Sequence, residues 1–122
     1  MPVMKKILVV DDEKNIRTIF KKILEASGYQ VDTAENGAEG LAKAASTKYD
    51  VALLDIQMPD MLGTVLLNKL KKIQPKMVQI MVTGDTNVKN AVDSLNQGAE
   101  AYIRKPINKQ QLIATIKEKT IR

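Results

Sequence analysis

The chain has 122 residues, enough for one domain with its own apolar core, and we predict a single domain over residues 1–122. It contains no cysteine and no histidine, which excludes disulfides, thiolate nucleophiles, Ser-His-Asp catalysis and imidazole metal ligands. The net charge is +5, but one Phe and three Tyr cannot supply the interleaved basic and aromatic pattern of single-strand binders, so we expect no direct binding of nucleic acid.

Apolar runs in the chain are short. The longest, such as Ile7 to Val10, fall far below the roughly 20 residues of a membrane-spanning helix. The run that follows Lys5 and Lys6 is also too short for the roughly 7–15-residue core of a signal peptide. We therefore expect a cytoplasmic protein that does not bind a membrane.

The first half of the chain alternates β-branched runs with segments whose apolar residues recur at helical spacing. Residues 6–10 predict the first strand, and the helix after Asp11-Asp12 is predicted to end at Gly28. A second strand at 30–34 leads through Asn36-Gly37 into an alanine-rich helix. The residues of that helix predicted to lie on one apolar side are Ala38, Leu41, Ala42 and Ala45.

The second half continues this alternation. The third strand is predicted at 51–54, and a loop at 56–63 separates it from a helix that ends near Pro75. The fourth strand is predicted at 77–82, and a helix at 87–97 follows it. The residues of this helix predicted to face inward are Val88, Ala91, Val92 and Leu95.

The end of the chain adds a last strand at 101–103, the turn Lys105-Pro106 and a terminal helix. Asn108 and Gln111 resemble a capping box at the start of that helix. Because every strand is followed by a helix, we expect parallel strands joined by right-handed crossovers, with helices on both faces of the sheet. The carboxyl ends of all strands then share one edge, where ligands bind in open sheets of this kind.

Five polar residues fall at predicted strand ends. Asp11 and Asp12 follow the first strand, Asp55 the third and Thr83 the fourth, and Lys105 comes shortly after the fifth. The second strand contributes none. If the first, third, fourth and fifth strands are neighbours, about 4.8 Å apart, these side chains converge in one pocket.

Three carboxylates in one pocket repel one another and call for a cation or raised pKa values. An all-oxygen ligand set without imidazole or thiolate favours a hard cation, and this short set suits Mg²⁺ better than Ca²⁺. The cation, Lys105 and the hydroxyl of Thr83 together could hold the three equatorial oxygens of a transferring phosphoryl group. Asp55 is then the best candidate for the nucleophile, and the product would be an aspartyl phosphate.

These residues lie in four ordered segments, and with them the chain resembles the receiver domain of two-component response regulators, especially the single-domain chemotaxis type. The resemblance covers essentially the whole chain and implies a doubly wound α/β fold, (βα)5, with a five-stranded parallel sheet in the flavodoxin-like order 2-1-3-4-5. The matching segments are Ile7 to Asp12, Leu53 to Met61 with Gly63, Val82 to Gly84, and Gly98-Ala99 through Tyr102 to Lys105-Pro106.

The resemblance implies a role for each site residue. Asp55 would accept the phosphoryl group and, with Asp12, ligate Mg²⁺. The backbone carbonyl of Gln57 would complete the protein ligands, and Asp11 would act mainly through water. Lys105 would pair with the carboxylate at rest and with a phosphoryl oxygen after transfer.

The resemblance also implies a switch and its partners. Thr83 would turn inward toward the phosphoryl group while Tyr102 moves from exposed to buried, and the Lys105-Pro106 bond would be cis. The donor would be a phosphohistidine on a sensor kinase or histidine phosphotransfer protein, or a small molecule such as acetyl phosphate. The changed surface, formed by the fourth helix, fifth strand and fifth helix, would serve a downstream effector protein or domain, and could also serve a dimer.

The sequence departs from the family pattern at two positions beside the site. Leu62 stands where a polar residue commonly precedes the glycine, and Gly84 stands where alanine often follows the threonine. Gly84 would loosen the switch loop. Gln57 and Asp85 lie two positions beyond Asp55 and Thr83, where the family tunes the attacking water, and polar side chains there predict a finite phosphate lifetime.

Two classes of enzyme fit the sequence less well than this switch does. A flavin or dinucleotide site would want glycine and hydroxyl residues where this chain has Asp11-Asp12-Glu13, which repel phosphate. A phosphatase with an Asp-x-Asp motif would find Glu13 at its second position. The alternative that remains is a receiver-fold interaction module without phosphorylation. We expect no enzyme activity other than self-catalysed aspartyl phosphorylation and dephosphorylation.

Overall fold

The computed structural model describes residues 5–84 and 88–121, with Val88 described by its backbone alone. Strands and helices alternate along the chain, as predicted. The strands are β1 (Lys6–Val10), β2 (Gln30–Ala34), β3 (Val51–Leu54), β4 (Val78–Thr83) and β5 (Ala101–Arg104). The helices are α1 (Lys14–Ala26), α2 (Gly37–Ser46), α3 (Gly63–Ile73), α4 (Val88–Asn96) and α5 (Lys109–Lys119).

Most predicted boundaries are correct to within one residue. The first three strands have the predicted bounds, whereas β4 starts and ends one residue later and β5 is one residue longer. Gly28 and Gly98 follow α1 and α4 with φ of 95° and 109°, left-handed conformations that favour glycine at helix ends. The predicted helix start at Asn87 and the predicted role of Asp85 lie outside the described residues.

All five strands are parallel and form one sheet in the order β2-β1-β3-β4-β5. This confirms the doubly wound α/β fold and the order that the resemblance implies. The register places Val10, the last residue of β1, beside Ala34 of β2 and Leu54 of β3. The carboxyl ends of the strands therefore meet at one edge of the sheet.

The core lies on both faces of the sheet, because alternate residues of each buried strand point to opposite faces. One apolar cluster joins strand residues such as Ile7 and Ile80 to Phe20 of α1 and Leu112 of α5. The other joins the opposite strand face to α2 and α3, with Leu67 fully buried. Within the described residues, no helix is long and apolar enough to cross a membrane.

The prediction for the inner side of α2 is wrong for its alanines and correct for Leu41, which packs against the core. The buried residues of this helix are Gly37, Gly40 and Ala44, whereas Ala38, Ala42 and Ala45 are exposed and Leu41 is half-buried. A Cβ at Gly40 would lie 3.0 Å from a methyl group of Val10 in β1. The helix therefore approaches the sheet so closely that glycine, rather than alanine, occupies its inner side.

The prediction for the inner side of α4 is wrong in part. Val92 and Leu95 are 48% and 47% exposed, and Ala91 is half-buried. Among the described side chains of α4, which do not include that of Val88, the buried one is Ser94, and its hydroxyl donates to the carbonyl of Asn90 at 2.8 Å. A serine that satisfies its hydroxyl inside its own helix can occupy a buried position, which apolar periodicity does not detect.

Asparagine caps the first turn of two helices, and the cap at Asn108 is the one predicted from the sequence. The side chain of Asn36 accepts from the Glu39 N–H at 2.8 Å, and that of Asn108 accepts from the Gln111 N–H at 3.0 Å. Each bond satisfies one of the free N–H groups at a helix start.

Gln74 joins the C-terminal ends of α2 and α3. Its side-chain amide donates to the carbonyls of Ala44 and Thr47, both at 2.7 Å, and its carbonyl accepts from the Tyr49 N–H at 3.0 Å. We expect Gln74→Ala to lower the free energy of unfolding by about 2 kcal/mol, because three backbone groups lose their partners. Urea unfolding checks this. The exposed Gln110→Ala on α5 is the control, and a loss no larger than in Gln110→Ala would contradict the expectation.

Candidate functional site

The polar residues predicted at the strand ends lie together at the carboxyl edge of the sheet. Asp11, Asp12 and Asp55 each place one carboxylate oxygen within 4.8 Å of the others. Lys105 reaches this cluster from the loop after β5, and Thr83 ends β4 beside it. Asp11 and Asp55 are buried, 2% and 6% exposed, whereas Asp12 is exposed.

Asp11 is fixed by backbone and side-chain contacts. Its N–H donates to the carbonyl of Ala34 at 3.1 Å, so the parallel pairing of β1 with β2 extends one residue beyond the strands. Its carboxylate accepts from the Glu13 N–H at 2.9 Å. Burial raises the pKa of Asp11, although hydrogen bonds from Lys105 and the Glu13 N–H oppose the rise.

Asp55 follows β3 in the middle of the sheet. Its N–H donates to the carbonyl of Val10 at 3.1 Å, which holds it next to the end of β1. One carboxylate oxygen accepts a long hydrogen bond of 3.4 Å from the Gln57 N–H. Behind it, the Gly63 N–H donates to the carbonyl of Ile56 at 2.6 Å and closes the loop before α3.

Lys105 is the cation of the site. Its ammonium lies 2.8 Å from a carboxylate oxygen of Asp11, 3.3 Å from one of Asp55 and 3.9 Å from one of Glu13. Burial lowers the pKa of Lys105, but the contacts with Asp11 and Asp55 outweigh it and leave the pKa raised. Lys105 therefore carries a positive charge that offsets part of the carboxylate repulsion.

The backbone around Lys105 places its side chain over the cluster. The Lys105 N–H donates to the carbonyl of Thr83 at 2.9 Å, which ties the loop after β5 to the end of β4. The Lys105-Pro106 peptide bond is cis, as the resemblance implies.

An open cavity of about 260 Å³ lies over these side chains. The residues that line it are Asp12, Glu13, Asp55, Gln57, Thr83, Gly84 and Lys105. Oxygen atoms dominate this set, so the acidic cluster could bind a hard metal ion.

A larger cavity of about 690 Å³ lies at the opposite edge of the sheet, between the ends of α2 and α3, away from the carboxylates.

Sequence reasoning missed three residues that touch or support the site. Glu13 reaches Lys105, and its place directly after the aspartate pair was a visible signal. Arg17 of α1 donates to the carbonyl of Asp11 at 2.8 Å, and the carboxylate of Asp60 accepts from two N–H groups at the start of α2. No local pattern marks these two residues, because their partners lie in other turns and elements.

Comparison with known proteins identifies the family. The family model of the response regulator receiver domain matches residues 7–117. The chain belongs to this family. The crystal structure of a CheY-like receiver domain protein from Methanospirillum hungatei matches this chain with a TM-score of 0.93. The two sequences are 49% identical, and the match covers 97% of this chain and 94% of that one. A receiver domain from Clostridium thermocellum is 37% identical, with a TM-score of 0.89 over 96% and 94%.

Curated relatives of this receiver domain are longer proteins. The transcriptional regulatory protein ResD of Bacillus subtilis is 36% identical over 92% of this chain and 46% of its own length. The response regulator ArlR of Staphylococcus saprophyticus is 35% identical over 93% and 51%. The chain thus spans about half the length of these relatives.

Two further residues of the receiver domain were predicted to take part in its switch. Tyr102 of β5 is partly buried and packs against the core cluster shared with α2 and α3. Gly84 is exposed, and an added Cβ would meet no atom within 4 Å in the part of the chain that the structure describes. Thr83 is buried at the edge of the cavity.

Proposed function

We propose that this receiver domain is a phosphoacceptor switch in which Asp55 receives a phosphoryl group in a Mg²⁺-dependent reaction. The observation that carries the proposal is the position of Asp55, a buried carboxylate on the central strand that lines an open cavity with Asp12, Thr83 and Lys105. A nucleophile, a cluster for a divalent cation, a fixed ammonium and a hydroxyl are the parts that phosphoryl transfer requires.

The proposed metal ligands are the carboxylates of Asp12 and Asp55 and the backbone carbonyl of Gln57, with Asp11 acting through water. Three carboxylate oxygens within 4.8 Å of one another fit a hard cation and do not fit a soft one. Bound Mg²⁺ would neutralise part of the charge of the phosphoryl oxygens and of the carboxylates. This frees an Asp55 oxygen to approach an anionic donor.

In the proposed reaction a carboxylate oxygen of Asp55 forms a bond to phosphorus. The P–N bond of a phosphohistidine breaks, and its electron pair stays on the imidazole nitrogen; with acetyl phosphate the P–O bond breaks and acetate leaves. Lys105, 3.3 Å from Asp55 at rest, would transfer its contact to a phosphoryl oxygen. The Thr83 hydroxyl would donate to a second oxygen. The product is an acyl phosphate whose phosphoryl group carries a charge of about −1.5 to −2 in place of the single negative charge of the Asp55 carboxylate.

The proposed partners are a sensor histidine kinase or histidine phosphotransfer protein as donor and an effector protein or domain as receiver of the signal. Phosphorylation would change the surface formed by α4, β5 and α5, through Thr83 and Tyr102. Because curated relatives are named transcriptional regulatory proteins, we propose that the effector acts in transcription or is a separate cytoplasmic protein. We propose no enzyme activity on another substrate, no membrane contact and no direct contact with nucleic acid by this domain.

Intact-mass spectrometry tests this function. Incubation with acetyl phosphate and Mg²⁺ is expected to add one phosphoryl group to the wild-type chain, because Asp55 is the only acceptor proposed. Asp55→Ala is expected to abolish the adduct, and EDTA is expected to suppress it in the wild type. Asp50→Ala is the matched control, since Asp50 is exposed at the other end of β3. An unmodified wild-type mass would instead favour an interaction module without phosphorylation.

A further inference from the structure

The segment that follows β2 supports both loops of the acidic site. Within the described residues β2 and this segment place no side chain in the site cavity. The segment, Glu35–Ala38, nevertheless contacts a residue from α1 and a residue from the loop before α3. These two residues, Arg17 and Asp60, are each linked to a loop that carries proposed metal ligands.

Arg17 holds the first loop. One guanidinium nitrogen donates to the carbonyl of Asp11 at 2.8 Å, and the other lies 3.9 Å from a carboxylate oxygen of Glu35. Its side chain is only 16% exposed, so the contact is well shielded from water. The Asp11 carbonyl belongs to the peptide group that joins Asp11 to Asp12. Arg17 therefore orients the peptide from which the Asp12 side chain starts.

Asp60 holds the second loop. Its two carboxylate oxygens accept from the N–H groups of Gly37 and Ala38, both at 2.9 Å. These bonds lower the pKa of Asp60, so the carboxylate is ionised at the positive end of α2. Asp60 lies three residues after Gln57 in the same loop. The two bonds therefore restrict the backbone that carries the Gln57 carbonyl.

We propose that Arg17 and Asp60 are positioning residues that fix the two loops of the acidic site against Glu35–Ala38 and thereby set its affinity for Mg²⁺. This inference rests on the proposed function, because it takes the loops to carry the metal ligands. Neither residue contacts the cavity, so neither is a ligand. Partners that orient metal ligands commonly contribute 10–100-fold to metal affinity.

The loss of the Arg17 charge and the loss of its hydrogen bond are expected to change the affinity for Mg²⁺ in opposite directions. The guanidinium is a cation close to the site, so its removal would strengthen the binding of Mg²⁺ if charge alone mattered. Loss of the bond to Asp11 releases the Asp12 peptide and weakens binding. We expect Arg17→Met to weaken Mg²⁺ binding about 10-fold. Arg17→Lys keeps the positive charge and one donor nitrogen, so its affinity for Mg²⁺ is expected to lie between those of Arg17→Met and the wild type.

The experiment is isothermal titration of Mg²⁺ into the metal-free full chain, with thermal unfolding in EDTA to confirm that each variant folds. Lys21→Met is the matched control for Arg17, because Lys21 is exposed one turn along α1 and its removal takes away the same charge. The second arm is Asp60→Asn, which is expected to weaken Mg²⁺ binding about 10-fold. Its control is Glu39→Gln, which removes a negative charge from the first turn of α2.

The outcomes separate this inference from the proposed function. Arg17→Met that binds Mg²⁺ as tightly as Lys21→Met would overturn the role of Arg17. If Asp60→Asn binds Mg²⁺ as tightly as Glu39→Gln does, the role of Asp60 is overturned. This second pair of variants decides the inference if Arg17→Met does not fold. If the wild-type chain binds Mg²⁺ and accepts a phosphoryl group, but the variants bind Mg²⁺ as tightly as their controls, this inference is wrong and the proposed function stands. If the wild-type chain binds no Mg²⁺, both this inference and the proposed function are wrong.

Discussion

Gly63→Ala is expected to lower the free energy of unfolding by about 3 kcal/mol. A Cβ at this position would overlap the carbonyl oxygen of Asp55 and lie 2.8 Å from both its carbonyl carbon and the Cα of Ile56. These are backbone atoms at the end of the central strand, so they cannot rotate away as a flexible side chain would. Either the loop before α3 moves, or the peptide of Asp55 does.

The measurement is urea unfolding of the variant beside Gly84→Ala as a matched control. No atom of the described residues lies within 4 Å of a Cβ added at Gly84, and its φ is not positive, so alanine there is expected to be neutral or to stabilise by up to about 1 kcal/mol. Because Gly63 touches Asp55, its variant is also expected to lose phosphorylation. A Gly63→Ala protein as stable as Gly84→Ala would show that the loop tolerates a side chain and that this close approach is not needed.

The strands and the site could be predicted because both depend on local patterns. β1 and β3 contain short apolar runs bounded by polar residues, and β3 and β4 are buried along their whole length. Polar residues at the carboxyl ends of parallel strands lie at one edge of the sheet, which places Asp11, Asp55 and Thr83 at the same edge without knowledge of the tertiary structure. The cis bond before Pro106 and the strand order came only through the resemblance.

Helix faces were harder to predict, since they depend on how closely two elements approach. On α2, the alanines that appear to form an apolar side are exposed, because Gly37 and Gly40 let the helix backbone come close to the sheet. On α4, Ser94 replaces an apolar residue at the buried position. A search for apolar periodicity does not detect a glycine that lets a helix approach the sheet. It also does not detect a buried serine whose hydroxyl forms a hydrogen bond within its own helix.

The supports of the site were not predictable, because they join residues distant along the chain. Asp60 and Gly37 are 23 positions apart, and their hydrogen bond exists only after α2 and the loop before α3 have packed together. Lys105 and Asp11 are 94 positions apart, and their contact was not predicted either. The resemblance pairs it with the phosphoacceptor carboxylate, yet its closest carboxylate is Asp11, at 2.8 Å against 3.3 Å for Asp55.

Lys105→Met is expected to lower the free energy of unfolding by about 3 kcal/mol at neutral pH in EDTA. Asp11 and Asp55 are buried, and the ammonium of Lys105 is in contact with both. Its removal leaves two buried carboxylates facing each other without a cation. Lys109→Met is the control, because Lys109 is exposed at the start of α5.

The pH dependence tests the cause of this loss. Burial already raises the pKa of Asp11, and the hydrogen bond from Lys105 is the largest effect that opposes the rise. A carboxyl group with a raised pKa in the folded state favours its protonated form, so its destabilising effect is absent below the unfolded value of 3.8 and develops as the pH rises through the folded value. In Lys105→Met that folded value is higher still. The loss of stability relative to wild type is therefore expected to grow with pH from about pH 4 to neutrality, as urea unfolding over that range can measure. A deficit that stays constant over this range would mean that Lys105 stabilises the fold through the packing of its side chain rather than through its charge.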